Sequence, residues 1–190
     1  MKLSAGLQGL KKEFIRIEKA RRELQQMSAT AARLSKQAIF SFQRADLTQG
    51  RAQLAEAEPL LIKGRQMVKK DVRLNAEGVW RAALEEFCEA SFVEKIVQGA
   101  DLFPPQIVTD EPDILIGGMA DAVGEVVRLA VRSATEHDAK RVNELFALAE
   151  SLVAFLTSLD LTGNLRSKGD QSRQHLRRLE DLRYEMSRQK

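Results

Sequence analysis

The sequence predicts an all-α bundle of six or seven helices in a single domain over residues 1–190, and three observations carry that prediction. Ala, Leu, Glu, Lys, Arg and Gln dominate, whereas only 5% of residues are aromatic and only four are Pro. That mix favours helix over strand. Apolar positions recur at spacings of three, four and seven, and no segment alternates with the period of a strand. With 44% hydrophobic and 30% charged residues, the 190-residue chain has enough apolar material for a buried core.

The first helix is expected from about residue 8 to 45, long and amphipathic. Leu10, Phe14, Ile17, Leu24, Met27, Leu34, Ala38 and Phe42 form its apolar stripe, and no Pro or Gly interrupts it after Gly9. Its charged face mixes Lys11, Lys12, Arg16, Lys19, Arg21 and Arg22 with Glu13, Glu18 and Glu23, a solvated face with intrahelical ion pairs. Asp46 and Thr48 read as turn and cap before a second helix from about 49 to 74, which Pro59 should kink or restart. This helix ends in the cations Lys63, Arg65, Lys69, Lys70 and Arg73, opposed only by Asp71. Such a cluster suits either a phosphate backbone or the helix dipole.

A third helix follows from about 76 to 98 and ends at Gly99. The stretch from Ala100 to Pro112, with Pro104-Pro105, is the one clear non-helical connector. Helix four is expected from about 113 to 135, helix five from the Asp138 cap to about 158, and a charged last helix from about 170 to 188 after a Gly163-Asn164 turn. No internal repeat is visible, which argues against a helical regulator of the phosphate-uptake type.

Two segments carry chemistry. Glu86 and Glu89 lie three residues apart on the third helix, and Asp121 and Glu125 four apart on the fourth. Each pair shares one helix face. From Ile114 to Val131 nearly everything else is apolar or Gly, so the stripe of Asp121, Glu125 and Arg128 interrupts a helix that otherwise reads as buried. A buried acid is costly unless paired or bound to a cation. Two explanations stay open: ion pairs with Arg128, Arg132 and cations supplied by the fold, or an oxygen-ligand site for Mg²⁺, with Mn²⁺ as the alternative. Metal-assisted attack of water on a phosphodiester is a standard use of such a site.

Other chemistries are weaker. His137, in a helix–helix turn, and His175, on the charged last helix, are expected at the surface. Glu-x-x-His pairs are missing, which argues against a ferritin-like di-iron bundle. Cys88 lacks a nearby His and reads as a buried structural thiol; a lone cysteine also excludes an internal disulfide and suits a reducing cytosol. No Gly-x-x-x-x-Gly-Lys or Gly-x-Gly-x-x-Gly loop is present. The net charge of +3 and pI near 9.1 permit an anionic partner. Met1 to Leu10 lacks the apolar core of a signal peptide, and no charge-free apolar run is long enough to span a membrane, so a soluble, cytoplasmic protein is expected. No set of aromatics stands out as a stacking platform.

At the acid segments the chain resembles the translin and translin-associated factor X family. Leu84-Glu85-Glu86-Phe87-Cys88-Glu89-Ala90-Ser91-Phe92 resembles the acidic helix of translin-associated factor X. Ile116-Gly117-Gly118-Met119-Ala120-Asp121-Ala122-Val123-Gly124-Glu125, continuing to Thr135 and Asp138, resembles the family's second motif. Trp80-Arg81, the run Leu165 to Asp170 and the run Leu179 to Glu185 resemble translin itself. The likeness runs from roughly residue 13 onward.

The resemblance implies a translin-type helical bundle that assembles into an oligomer, in this family an octamer, around single-stranded RNA or DNA. The retained acids favour the catalytic branch, a Mg²⁺-dependent endoribonuclease, and imply that Glu86, Glu89, Asp121 and Glu125 form the catalytic metal site. The short connector suggests a compact, prokaryotic-type homologue able to assemble from itself alone or with a translin-like partner subunit. Translin's basic run before the Trp-Arg pair is replaced here by Asn75-Ala76-Glu77-Gly78-Val79, so the expected nucleic-acid contacts are Lys69, Lys70, Arg73 and Arg81. The bland competitor is a non-catalytic nucleic-acid-binding oligomer.

Overall fold

The computed structural model describes residues 5–102 and 108–188. Pro104 and Pro105 of the expected connector lie outside the described residues. Among the described residues there are six α-helices, one 3-10 helix and no strand: α1 (Ala5–Gln43), α2 (Leu47–Lys70), a 3-10 turn (Val72–Ala76), α3 (Gly78–Gln98), α4 (Pro112–Thr135), α5 (Ala139–Ser158) and α6 (Gly163–Arg188).

Local chemistry sets most boundaries. The Asp46 carboxylate accepts the Gln49 N–H at 2.9 Å and opens α2, and Asp138 does the same for Arg141 at the start of α5. Asp71 ends α2 four residues earlier than expected: its N–H bonds Met67, while its side chain accepts from the Arg73 N–H and starts the 3-10 turn. Gly99, with φ of 66°, closes α3 in the left-handed conformation. Pro59 does not restart α2, which runs through it. Pro59 and Ala55 are both exposed, so the carbonyl that loses its donor can be hydrated. The last helix begins at Gly163 rather than near 170, because packing decides where propensity does not: Gly169 is buried close to Leu161.

Helices α3 and α4 form the centre of the bundle. α1 packs on α2 and α3, α3 packs on α4, and α4 is covered by α5 and α6. The second half of α1 buries Leu24, Leu34, Ala38 and Phe42 as its stripe requires. Its first half does not: Leu10 is 66% and Phe14 62% exposed, because α1 is longer than the helices it packs against. Trp80 fills the space over Gly64 on α2.

One close approach brings the two acid-bearing helices together. At Gly118 a Cβ would lie 2.6 Å from the Cys88 Cβ and 2.9 Å from both the Glu85 carbonyl oxygen and the Glu89 nitrogen. Only a glycine lets the α4 backbone come this near to α3. Cys88, sealed in this contact, has its thiol pushed up to about 12 by burial and then by Glu85. A thiol-reactive disulfide reagent is therefore expected to leave the folded protein unlabelled and to titrate one thiol after denaturation. Rapid labelling of native protein would contradict the packing.

Candidate active site

The close approach at Gly118 sets the acid faces of α3 and α4 opposite one another. Glu86, Glu89, Asp121 and Glu125 line one cleft of about 340 Å³ with Gly124 and Arg128 of α4 and Gln171 and His175 of α6. A second cleft of about 520 Å³ shares Glu86, Glu89, Glu125 and Arg128 and is completed by Lys36, Ile39, Phe40 and Gln43 of α1. The carboxylates thus stand between α6 on one side and α1 on the other.

α6 is held in register against α4 by three pairs. Ser172 Oγ donates to the Ala120 carbonyl at 3.1 Å, Lys168 Nζ bonds the Asp121 carboxylate, and the His175 ring lies against Gly124. A Cβ at Gly124 would sit 3.2 Å from His175 Nε2, so glycine there leaves room for the imidazole. His175 is therefore not the free surface residue that its charged helix suggested; it is half-buried in the acid cleft. Burial, then the charges of Arg178 and Arg128, lowers its pKa and favours the neutral ring. His137 is exposed in the α4–α5 turn, as expected, with φ of 60°.

Cations already answer three of the four acids. Lys36 pairs with Glu86 at 3.1 Å, and Arg128 with Glu125 at 3.4 Å. Gln43 Nε2 adds a hydrogen bond to Glu125 Oε2 at 2.9 Å. Lys168 bridges Asp121 and Glu85, the latter at 3.2 Å; burial works against its charge, but the bonds and charges of Asp121 and Glu85 together raise its pKa. Arg132 is not an acid-cleft partner. It bonds the Gln43 carbonyl and Glu136.

Glu89 is the exception. Among the described residues it makes no ion pair, and its carboxyl is pushed up to about 8 by burial, then by Asp121, Glu86 and Glu125. The charge of Lys168 opposes this rise without cancelling it.

The donor set is carboxylate oxygen with one imidazole, which suits a hard divalent cation in kind. Among the described residues no three His, Cys, Asp or Glu side chains already converge in ligating geometry. Lys36, Lys168 and Arg128 occupy the carboxylates instead, so loading a cation requires those pairs to open.

The cations expected to contact nucleic acid are dispersed. Lys69 and Lys70 are exposed on the last turn of α2 and form no ion pair among the described residues. Arg73 is held by Asp71 at 2.7 Å and by Glu13 at 3.1 Å. Arg81 bonds Glu111 at 2.8 Å and also Asp113, at the mouth of a separate cleft that includes Glu85. None of the four lines either acid cleft; Lys36, Arg128 and Lys168 do so or reach its carboxylates.

Fold and site together define a helical bundle whose two central helices present a carboxylate cleft rimmed by cations. The family model described as Translin family matches residues 19–189, and the chain belongs to that family. No curated protein matches it. Among solved structures, the crystal structure of apo-NeC3PO aligns with TM-score 0.89 at 20% identity, covering 98% of this chain and 100% of that one. The AfC3PO–duplex RNA complex aligns with TM-score 0.85 at 21% identity, and the AfC3PO crystal structure with 0.81 at 23%, each covering 95% of this chain and 96% of the other. At such identities the likeness establishes the translin-type all-α fold with its long first helix.

Among the described residues, no helix is long and apolar enough to cross a membrane.

Proposed function

We propose that this chain is a divalent-cation-dependent endoribonuclease in which Glu86, Glu89, Asp121 and Glu125 hold Mg²⁺, with Mn²⁺ as the alternative. The observation that carries this reading is Glu89, a carboxyl without an ion pair among the described residues and crowded by three other acids on two core helices. Such crowding costs stability, and a cation is what relieves it. When bound, the ion would neutralise the clustered carboxylates and polarise the scissile phosphate.

The chain's own groups supply the rest. One of the four acids, left off the ion, would accept the proton of an attacking water. Lys36 and Arg128, at the cleft mouth with side chains 66% and 73% exposed, hold the strand by its phosphates. The neutral His175 ring positions the water or a phosphate oxygen by hydrogen bonding. Lys69, Lys70, Arg73 and Arg81 would contact the strand farther out, Arg73 and Arg81 only after releasing their acids.

The family membership and the AfC3PO complex, which holds duplex RNA, support RNA as the substrate class. Single-stranded RNA is the form proposed, with DNA and duplex RNA as comparison arms. The exposed Leu7, Leu10, Phe14 and Ile15 of α1 support assembly with further copies, an octamer by family likeness or with a translin-like partner subunit, in the cytoplasm.

A second reading has its own observation. The pairs Glu86–Lys36, Glu125–Arg128 and Asp121–Lys168 already neutralise much of the cluster, as a non-catalytic RNA-binding oligomer would require. Incubating wild type, Glu89→Ala and Asp121→Ala with labelled RNA, with Mg²⁺ or EDTA, separates the two. The nuclease reading expects Mg²⁺-dependent cuts by wild type alone. Wild type that binds RNA but leaves it intact with both Mg²⁺ and Mn²⁺ supports the second.

A further inference from the structure

Phe40 stands at the mouth of the acid cleft with 63% of its surface exposed, while Ala38, Ile39 and Phe42 around it on α1 are buried. A single exposed aromatic says little on its own. Its surroundings say more. Phe40 and Lys36 line the cleft that contains Glu86, Glu89 and Glu125, and both also line a neighbouring cleft of about 640 Å³ that includes Arg33 and Gln37. Arg44 lies over the Phe40 ring, 5.3 Å from its centroid. Arg33, Lys36 and Arg44 fall seven, four and four residues from Phe40, so one face of α1 carries the ring among three cations. Arg128 adds a fourth from the opposite wall.

We infer that Phe40 is a stacking platform for a nucleobase beside the cleavage position, with Lys36 and Arg128 holding the flanking phosphates. The inference rests on the RNA reading above and adds to it the contact that seats the strand against the acids. A nucleotide needs a flat apolar surface for its base and a cation for its phosphate, and this face offers both in one groove. Stacking accepts every base, so the contact gives register without sequence preference. A second copy of the chain is the other occupant to consider. Phe and Arg are themselves enriched at protein–protein interfaces, so the size of the oligomer separates the two occupants.

The test uses the full-length oligomer in EDTA, so that binding is read without cleavage, and a fluorescein-labelled oligouridylate of about 12 nucleotides as probe. Phe40→Ala should weaken binding by about 5- to 150-fold, the range expected for losing one stacked base. Phe40→Trp should restore affinity, and its fluorescence should be quenched by the oligonucleotide while Trp80, 2% exposed, stays silent. Light scattering on each variant should give the wild-type size. Wild-type affinity in Phe40→Ala overturns the stacking role and leaves the RNA reading standing. A wild type that does not bind RNA overturns both. A changed oligomer size in Phe40→Ala assigns the ring to a subunit contact and overturns the inference.

Discussion

Replacing Glu89 with glutamine is expected to raise the melting temperature of the metal-free protein at pH 8 and to lower RNA cleavage by at least about 100-fold. The two effects share one cause. Glu89 ordinarily titrates near 4.5, but in the folded chain it is pushed up to about 8. Between those values the native state holds a proton that the unfolded state has released, so stability falls as pH rises through that window. Below the window both states are protonated and the penalty vanishes. Above it the full penalty remains. Glutamine keeps the shape without the charge, so the penalty is absent from Glu89→Gln at every pH. Thermal melts in EDTA from about pH 5 to pH 9 should therefore fall more steeply for wild type than for Glu89→Gln. Parallel slopes would remove the crowding argument.

The second large effect is structural. Gly118→Val is expected to destabilise the fold by about 3 kcal/mol, near the top of the range for overpacking a well-filled core. Its Cβ would meet backbone atoms of Glu85 and Glu89 at 2.9 Å, and backbone cannot step aside as a flexible side chain can. The gain in helix propensity on leaving glycine, below about 1 kcal/mol, does not offset this. Gly78→Ala, with nothing within 4 Å of its added Cβ, is the control and should stay near wild type. Denaturant midpoints measure both. If Gly118→Val unfolds with Gly78→Ala, α3 and α4 do not need their close approach to hold the acids together.

The parts legible in the sequence were those where pattern and packing agree. An uninterrupted stripe gave the long α1, and the caps Asp46 and Asp138 fixed two starts. Charge on the otherwise apolar α4 pointed to Asp121 and Glu125, because on such a helix a buried acid needs either a cationic partner or a bound cation. What escaped was chemistry written on polar faces. Lys168 and His175 sit on α6, where a cation or an imidazole looks like any solvated side chain, and it is their contacts with α4, beside that of Ser172 with Ala120, that turn this face inward. A clue was available in the spacing of Lys168, Ser172 and His175, four and three residues apart on one face. Lys36 was hidden in the same way among the charges of α1. Conversely, Leu10 and Phe14 had the periodicity of core positions but no neighbour among the described residues to bury them. Periodicity shows which residues share a face, and only the packing shows what that face meets.

If the carboxylates of α3 and α4 form a cation site, calorimetric titration of the protein with Mn²⁺ or Mg²⁺ near pH 7, in buffers of different ionisation enthalpy, will show it without any cleavage assay. One saturable ion per chain is expected, with proton release on binding because the Glu89 carboxyl must ionise, and loss of that ion in both Glu89→Ala and Asp121→Ala. Binding that is absent in wild type, or unchanged in both variants, would rule the site out.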